Sequence, residues 1–170
     1  MTIVLTTLDP NKTYLDQKKF NCGNEKIDKF VRDSLKAQVR KNLSVAYVLT
    51  DSAQNDKFVG FFTIAQHSIE MSLLSTLQLG SLPRHIPCAR LIMLGVDLAY
   101  EGQGLGRQLM RQAFIATKAI SQAAGCYGMY LDADPNPRTL VFYEKLGFVF
   151  LEGNKSPADS PMFIPITSIP

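Results

Sequence analysis

Apolar and polar positions along the chain change period several times, and each change marks an element. Thr2–Thr7 reads as a short strand, and Asn21-Cys22-Gly23-Asn24 as a turn whose last residue can cap a helix. From Glu25 to Lys41, Ile27, Phe30, Val31 and Leu35 fall on one helical stripe, which predicts an amphipathic helix. Ser44–Thr50 and Lys57–His67 are dense in Val, Phe, Tyr and Ile. The polar run Asp51–Asp56 between them predicts an antiparallel hairpin. Met71–Leu79 suits a short helix ending at Gly80, and Pro83 and Pro87 bracket a loop before a central strand at 89–97. Leu105, Leu109, Ala113, Ala116 and Ile120 then recur every three or four residues, so a long helix is expected to end near Gly125. Tyr127–Asp132 reads as a strand, Arg138–Leu146 as a helix stopped by Gly147, and Phe148–Leu151 and Met162–Ile166 as two late strands. This order implies an α/β protein with a mixed sheet, not a fully parallel doubly wound one. No repeat or linker divides it, and a single domain over 1–170 is expected.

Composition narrows the class. The chain has 170 residues, 46% of them hydrophobic, enough for one domain with a sizeable core. No apolar run reaches the ~18 residues that span a membrane. Met1-Thr2-Ile3-Val4-Leu5 lacks the basic start and apolar core of a signal peptide. Cys22, Cys88 and Cys126 have neither an even count nor metal-ligand spacing, which implies reduced thiols and no metal site. Cytoplasmic residence is expected. The net charge is only +3, yet between Lys12 and Lys41 nine Lys/Arg stand against four Asp/Glu. Lys29, Arg32, Lys36 and Arg40 lie largely off the apolar stripe. Such a basic side either attracts a polyanion or is simply solvated.

The most informative segment is the strand of 88–97 running into Glu101-Gly102-Gln103-Gly104-Leu105-Gly106-Arg107 and a helix. Glycines let the backbone approach an anion, and the first helical N–H groups lack intrahelical partners. The helix dipole favours negative charge at the same place. A dinucleotide-binding fingerprint is excluded, because Arg107 stands where its third glycine belongs and the turn follows a hairpin in mid-chain.

Leu94-Gly95-Val96-Asp97, the Glu101–Gly106 turn, Asn136 and Phe142-Tyr143-Glu144-Lys145-Leu146-Gly147-Phe148 together resemble the GNAT acetyltransferase superfamily over essentially the whole chain. The family's glycine motif usually opens on Gln or Arg, and Glu101 departs from it. Phe20-Asn21-Cys22-Gly23 with Ile27-Asp28-Lys29-Phe30-Val31, Phe58–Thr63, Leu82-Pro83-Arg84 and Pro161–Ile166 resemble one branch, the acetyltransferase toxins of bacterial toxin–antitoxin modules.

The resemblance implies a mostly antiparallel central sheet, splayed at the cofactor site and flanked by helices, with acetyl-CoA as co-substrate and no metal. Backbone N–H groups of Gly102, Gln103, Gly104, Leu105, Gly106 and Arg107 would face the diphosphate, with the Arg107 side chain as a further contact. An amide at Leu94 or Val96, freed near Gly95, would bind the thioester oxygen. Asn136 would contact the pantetheine arm. Tyr143 would act as general acid toward the departing sulfur. The expected acceptor is the α-amino group of aminoacyl-tRNA, with Lys29, Arg32, Lys36, Arg40 and Arg84 contacting nucleic acid. A ribbon-helix-helix antitoxin and a homodimer are further implied partners. No general base is evident: Ile92, Met93 and Leu94 are apolar, Asp97 ends the strand, and His67 and His85 suit structural roles as well as a base. A small amine or protein N-terminus as acceptor, and a CoA-binding module without catalysis, stand as alternatives.

Overall fold

The computed structural model describes residues 1–151 and 159–170 and divides the chain into two compact units, Met1–Ala65 with Ile92–Ala113, and Gln66–Leu91 with Phe114–Pro170. Seven strands follow the order β1-β2-β3-β4-β5-β7-β6. They are β1 (Ile3–Thr7), β2 (Val45–Asp51), β3 (Lys57–Glu70), β4 (His85–Val96), β5 (Gly128–Ala133), β6 (Val149–Phe150) and β7 (Ser160–Pro165). β4 and β5 pair in parallel, whereas β1–β2, β2–β3, β5–β7 and β6–β7 are antiparallel. The expected mixed, mostly antiparallel sheet is therefore present.

In the first unit, Asn24 caps α1 (Glu25–Asp33) by accepting from the N–H groups of Lys26 and Ile27. The expected single helix of 25–41 is instead two. Ser34 leaves helical geometry at φ −128°, and α2 (Leu35–Arg40) starts after it. Asp33 and Ser34 both favour local backbone bonding over a helix interior, so the break falls where propensity is weakest. Both helices still bury the anticipated stripe. Val31 and Leu35 join Tyr14, Phe20, Phe58 and Phe61 in one core cluster, with Ile27 and Phe30 packed against it. Each fully buried Phe contributes roughly 1.5–3 kcal/mol. The hairpin between β2 and β3 closes through Asn55 and Asp56, both left-handed, a conformation Asn and Asp tolerate.

In the second unit, Met71–Leu77 is a 3-10 helix ended by left-handed Gln78, not an α-helix ended at Gly80. Its Leu74 joins Ile69, Ile86, Cys88, Leu151 and Phe163 in a second core cluster. Pro87 lies inside β4, not in a loop. Pro87 sits near the strand's start, before the ladder with β5 begins at Ala89, and its carbonyl accepts from Tyr127 N–H at 2.8 Å. α4 (Pro137–Lys145) begins with proline at its first position and ends before left-handed Gly147. The long helix α3 (Leu105–Ala124), like β3 and β4, belongs to both units along its length. It buries Leu105, Leu109, Met110, Ala113, Phe114 and Thr117.

Gly128 opens β5 in direct contact with β7. A Cβ there would collide with the Ile164 carbonyl oxygen and lie 2.6 Å from Phe163 Cζ. Backbone cannot yield as a flexible side chain does, so Gly128→Ala is expected to lower stability by about 3 kcal/mol or more. Urea unfolding monitored by circular dichroism checks this; a loss under about 1 kcal/mol contradicts it.

Candidate active site

The first unit contains β4's end and the glycine turn. At Leu49/Thr50 the β2–β3 register shifts, leaving Val59 as the extra residue, and the Val59 carbonyl accepts from Asp97 N–H at 2.8 Å. Beside this bulge the two strands approach closely: a Cβ on Gly60 would lie 3.0 Å from the Gly95 carbonyl oxygen. A Cβ on Gly95 would lie 3.1 Å from Ile27 Cγ2 and 3.3 Å from both Cys22 Sγ and Phe20 Cζ. Packing thus favours glycine at 95, and Ile27 together with Phe20 and Cys22 of the Phe20-Asn21-Cys22-Gly23 motif supplies the crowding. Leu94 and Val96, on either side, are half-buried.

Three polar anchors hold the chain between β4 and the turn. Asp97 accepts from Ala99 N–H through Oδ1 and from Asn21 N–H through Oδ2, and Leu98 N–H donates to the Asn21 carbonyl. Asp97 therefore braces this loop, as its place at the strand end suggests. Tyr100 is buried and donates to Asp51 Oδ2 at 3.0 Å. Asp51 also accepts from the N–H groups of Thr2 and Ala53 and from Gln54 Nε2. The Thr2 N–H above all, aided by Tyr100, holds the Asp51 carboxyl below its ordinary range, so it stays ionised inside the unit. The anchor at Asp51 is invisible in the sequence, because its partners come from positions 2, 53, 54 and 100.

Beyond Tyr100 the turn is open. Gly102 and Gly104 are left-handed, at φ 78° and 75°, and no atom lies within 4 Å of a Cβ built on either. Their need for glycine is conformational. Gln103 and Arg107 are exposed, Leu105 is buried and Gly106 is half-buried. Gln108 N–H reaches the Gly104 carbonyl at 3.1 Å as α3 gets under way. The N–H groups before it, on Leu105, Gly106 and Arg107, form the first turn and are available to an anion.

The second unit holds Tyr143, Asn136 and Arg84. Tyr143, on α4, is 7% exposed and packs edge-on against Phe142 and Phe148, with ring centroids 5.1 and 5.6 Å away. Burial alone pushes its phenol above the usual value of 10. Asn136 is the N-cap of α4, its Oδ1 accepting from Arg138 N–H at 2.9 Å. Arg84 is exposed, and its carbonyl accepts from Met71 N–H.

The basic side of the first unit is largely committed to local bonds. Arg32 pairs with Glu25 at 2.9 Å. Lys36 Nζ donates to the Lys12 carbonyl and Arg40 Nη2 to the Pro10 carbonyl. Lys12 and Lys36 both stand over the Tyr14 ring. These cations fasten the 9–14 loop to α2, a task their helical spacing does not announce. Lys29 is exposed. Burial pushes the thiols of Cys22 and Cys88 up to about 12, and raises that of Cys126. None has the lowered pKa of a nucleophile. Among the described residues no group of three His, Cys, Asp or Glu can hold a metal ion, and no helix is long and apolar enough to cross a membrane.

A family model described as an acetyltransferase (GNAT) domain matches residues 43–150. The Sinorhizobium fredii protein named "Probable toxin TacT" is 29% identical over 98% of this chain and 92% of its own length. A crystal structure of a bacterial toxin superposes with TM-score 0.91 and 38% identity over 98% of this chain and 92% of that one. The toxin AtaT complexed with acetyl-methionyl-tRNAfMet superposes with TM-score 0.86 and 27% identity, covering 98% of this chain and 96% of that one. AtaT bound to the C-terminus of the antitoxin AtaR and acetyl-CoA gives 0.80 and 25% over 98% and 94%.

The packing around Gly95 yields a coupled pair of substitutions. Gly95→Ala is expected to destabilise by about 1–3 kcal/mol through overpacking. Adding Cys22→Ala removes one of the crowding atoms and is expected to recover part of that loss. Urea unfolding of the single and double variants measures the coupling. Strictly additive losses contradict the packing account.

Proposed function

The chain belongs to the GNAT acetyltransferase family, and we propose that within it this protein acetylates the α-amino group of aminoacyl-tRNA, acting as a translation-blocking toxin. The observation that carries this proposal is the likeness, over 98% of the chain, to AtaT complexed with acetyl-methionyl-tRNAfMet. As an N-acetyltransferase it draws on acetyl-CoA, which supplies the acetyl group as an activated thioester.

The residues present suit that donor. An open turn with two left-handed glycines and the first turn of α3 offers a diphosphate the backbone N–H groups of Gly102, Gln103, Gly104, Leu105, Gly106 and Arg107. The Arg107 side chain is exposed and adds a charge-assisted contact. Because the binding groups are mainly amides, Glu101 weakens the local field without removing them. Leu94 or Val96 N–H would donate to the thioester oxygen as charge develops on it. Asn136 uses its oxygen to cap α4, which leaves its Nδ2 donors for the pantetheine arm. Tyr143 would deliver a proton to sulfur as the C–S bond breaks, and its raised phenol pKa keeps that proton in place at neutral pH.

An α-amine titrates at about 7.7–8.0, against ~10.4 for a lysine side chain, so an α-amino acceptor needs less help to lose its proton. By this account the protein works in the cytoplasm, contacts tRNA through Lys29 and Arg84 with help from Arg32, Lys36 and Arg40, and is held in check by a ribbon-helix-helix antitoxin. A homodimer belongs to the same proposal. The commitment of Arg32, Lys36 and Arg40 to partners within the chain favours, as a second reading, a small amine or protein N-terminus as acceptor. The non-catalytic module is set aside with the family assignment.

Expression of the protein is expected to arrest growth, and Tyr143→Phe to relieve the arrest. In vitro, Tyr143→Phe is expected to lower kcat on aminoacyl-tRNA by about 10²–10⁴ while the acetyl-CoA KM stays within a few-fold. From pH 6 to 9 no loss of rate should trace to ionisation of Tyr143. Acetylation that persists in the variant, or that occurs only on small amines, contradicts the assignment.

A further inference from the structure

A group of polar side chains that the account of acetyl transfer does not use gathers on one face of the second unit. The parallel β4–β5 ladder comprises Ala89↔Met129 and Arg90↔Tyr130. Ala89, Leu91, Met129 and Leu131 are buried along one face, and strand alternation puts Arg90, Tyr130 and Asp132 on the other. There Tyr130 Oη donates to Asp132 Oδ1 at 2.7 Å, and Arg90 Nη2 donates to Asp132 Oδ2 at 3.2 Å. The imidazole of His67, from β3, stacks on the Tyr130 ring with centroids 5.4 Å apart. Arg90 Nε is buried with no hydrogen-bond partner among the described residues.

Folding energetics do not account for this group. A partly exposed ion pair adds little stability, and a buried donor without an acceptor subtracts from it. An unpaired buried donor asks for an acceptor from elsewhere. The four residues also divide their chemistry. Both Asp132 oxygens already accept hydrogen bonds within the chain. The Tyr130 phenol is pushed up by burial and by Asp132, and Cys88, on the same face of β4, has a thiol pushed up to about 12. Only the imidazole has a basic nitrogen lone pair to offer.

We propose that this cluster handles the acceptor: His67 takes a proton from its α-ammonium group, and Arg90 Nε donates to an oxygen of the aminoacyl ester. The inference rests on aminoacyl-tRNA as the acceptor. The ammonium gives one proton to imidazole and becomes an amine. Its lone pair forms the C–N bond to the acetyl carbonyl carbon, the C–S bond breaks, and the thiolate takes the Tyr143 proton. Imidazolium then returns its proton to solvent, and Tyr143 is reprotonated by the proton the new amide sheds. Burial lowers the His67 pKa and the Arg90 charge lowers it further, against the opposing pull of Asp132. The imidazole is therefore neutral at pH 7, as a proton acceptor must be. The groups that act on the imidazole are Arg90 from β4 and Tyr130 and Asp132 from β5.

The test compares wild type with His67→Phe, which keeps a ring against Tyr130, and His67→Gln, from pH 6 to 9. The readouts are kcat/KM for aminoacyl-tRNA and KM for acetyl-CoA. At pH 6.5 His67→Phe is expected to lose about 100-fold in kcat/KM for the acceptor. The loss should shrink below about tenfold at pH 8.5, where an amine of pKa about 7.7–8.0 is mostly neutral unaided. The acetyl-CoA KM should not move. A loss equal at every pH, or no loss, overturns the proposal. The chain has two histidines, so NMR titration assigns the His67 imidazole by difference against His67→Phe. Titration below its ordinary 6.5 supports the proposal and titration above it overturns it. A wild type silent on aminoacyl-tRNA defeats the proposed acceptor instead. The same pH series on an amino-acid methyl ester, together with the titration, then decides the part His67 plays.

Discussion

The first unit depends on how closely β3 and β4 pass at Gly60 and Gly95. That approach makes a side chain on either residue a tight fit, and Phe20, Cys22 and Ile27 stand closely over Gly95. Polar contacts then carry the chain from there to the glycine turn. The bulge at Val59 turns a carbonyl to Asp97, Asp97 grips the Asn21 amide, and Asp51 grips Tyr100 directly before the turn begins. The open turn has two left-handed glycines with no atom within 4 Å of a Cβ built on either, so these contacts before it supply its anchoring.

The same logic distributes charge. In the proposed site, amides and a helix terminus rather than a cluster of cations would meet the diphosphate, which would make Glu101 tolerable beside them. The cations of the 12–41 stretch are mostly turned to building the first unit, holding backbone carbonyls and an acidic neighbour. Each half of the proposed proton traffic uses burial: it keeps the proton on Tyr143 and keeps it off His67.

The sequence carried much of this locally. Period and capping located α3 and α4, the hairpin, and the strands on either side of them, because each depends on neighbours within a few residues. Where local preference was weak the expectation missed: Ser34 splits the first helix, Gln78 rather than Gly80 ends the 71–77 turn, and Pro87 sits near the start of a strand. The Phe20-Asn21-Cys22-Gly23 motif was legible as a signature but not as packing around Gly95. The Asp51 anchor was not legible, and of the His67–Arg90–Tyr130–Asp132 group only His67 stood out, as a residue that suits a base as well as a structural role. Their members lie tens of residues apart and meet only through strand register and packing, which no single window of sequence contains.

The central claim is that main-chain donors at 102–107 hold the diphosphate of acetyl-CoA. Hydrogen exchange at single-amide resolution, with and without acetyl-CoA, tests it most directly. Slowed exchange concentrated at Gln103, Gly104, Leu105, Gly106 and Arg107 is the predicted result. Saturating acetyl-CoA that leaves those amides as exchangeable as before, while slowing others, would contradict it.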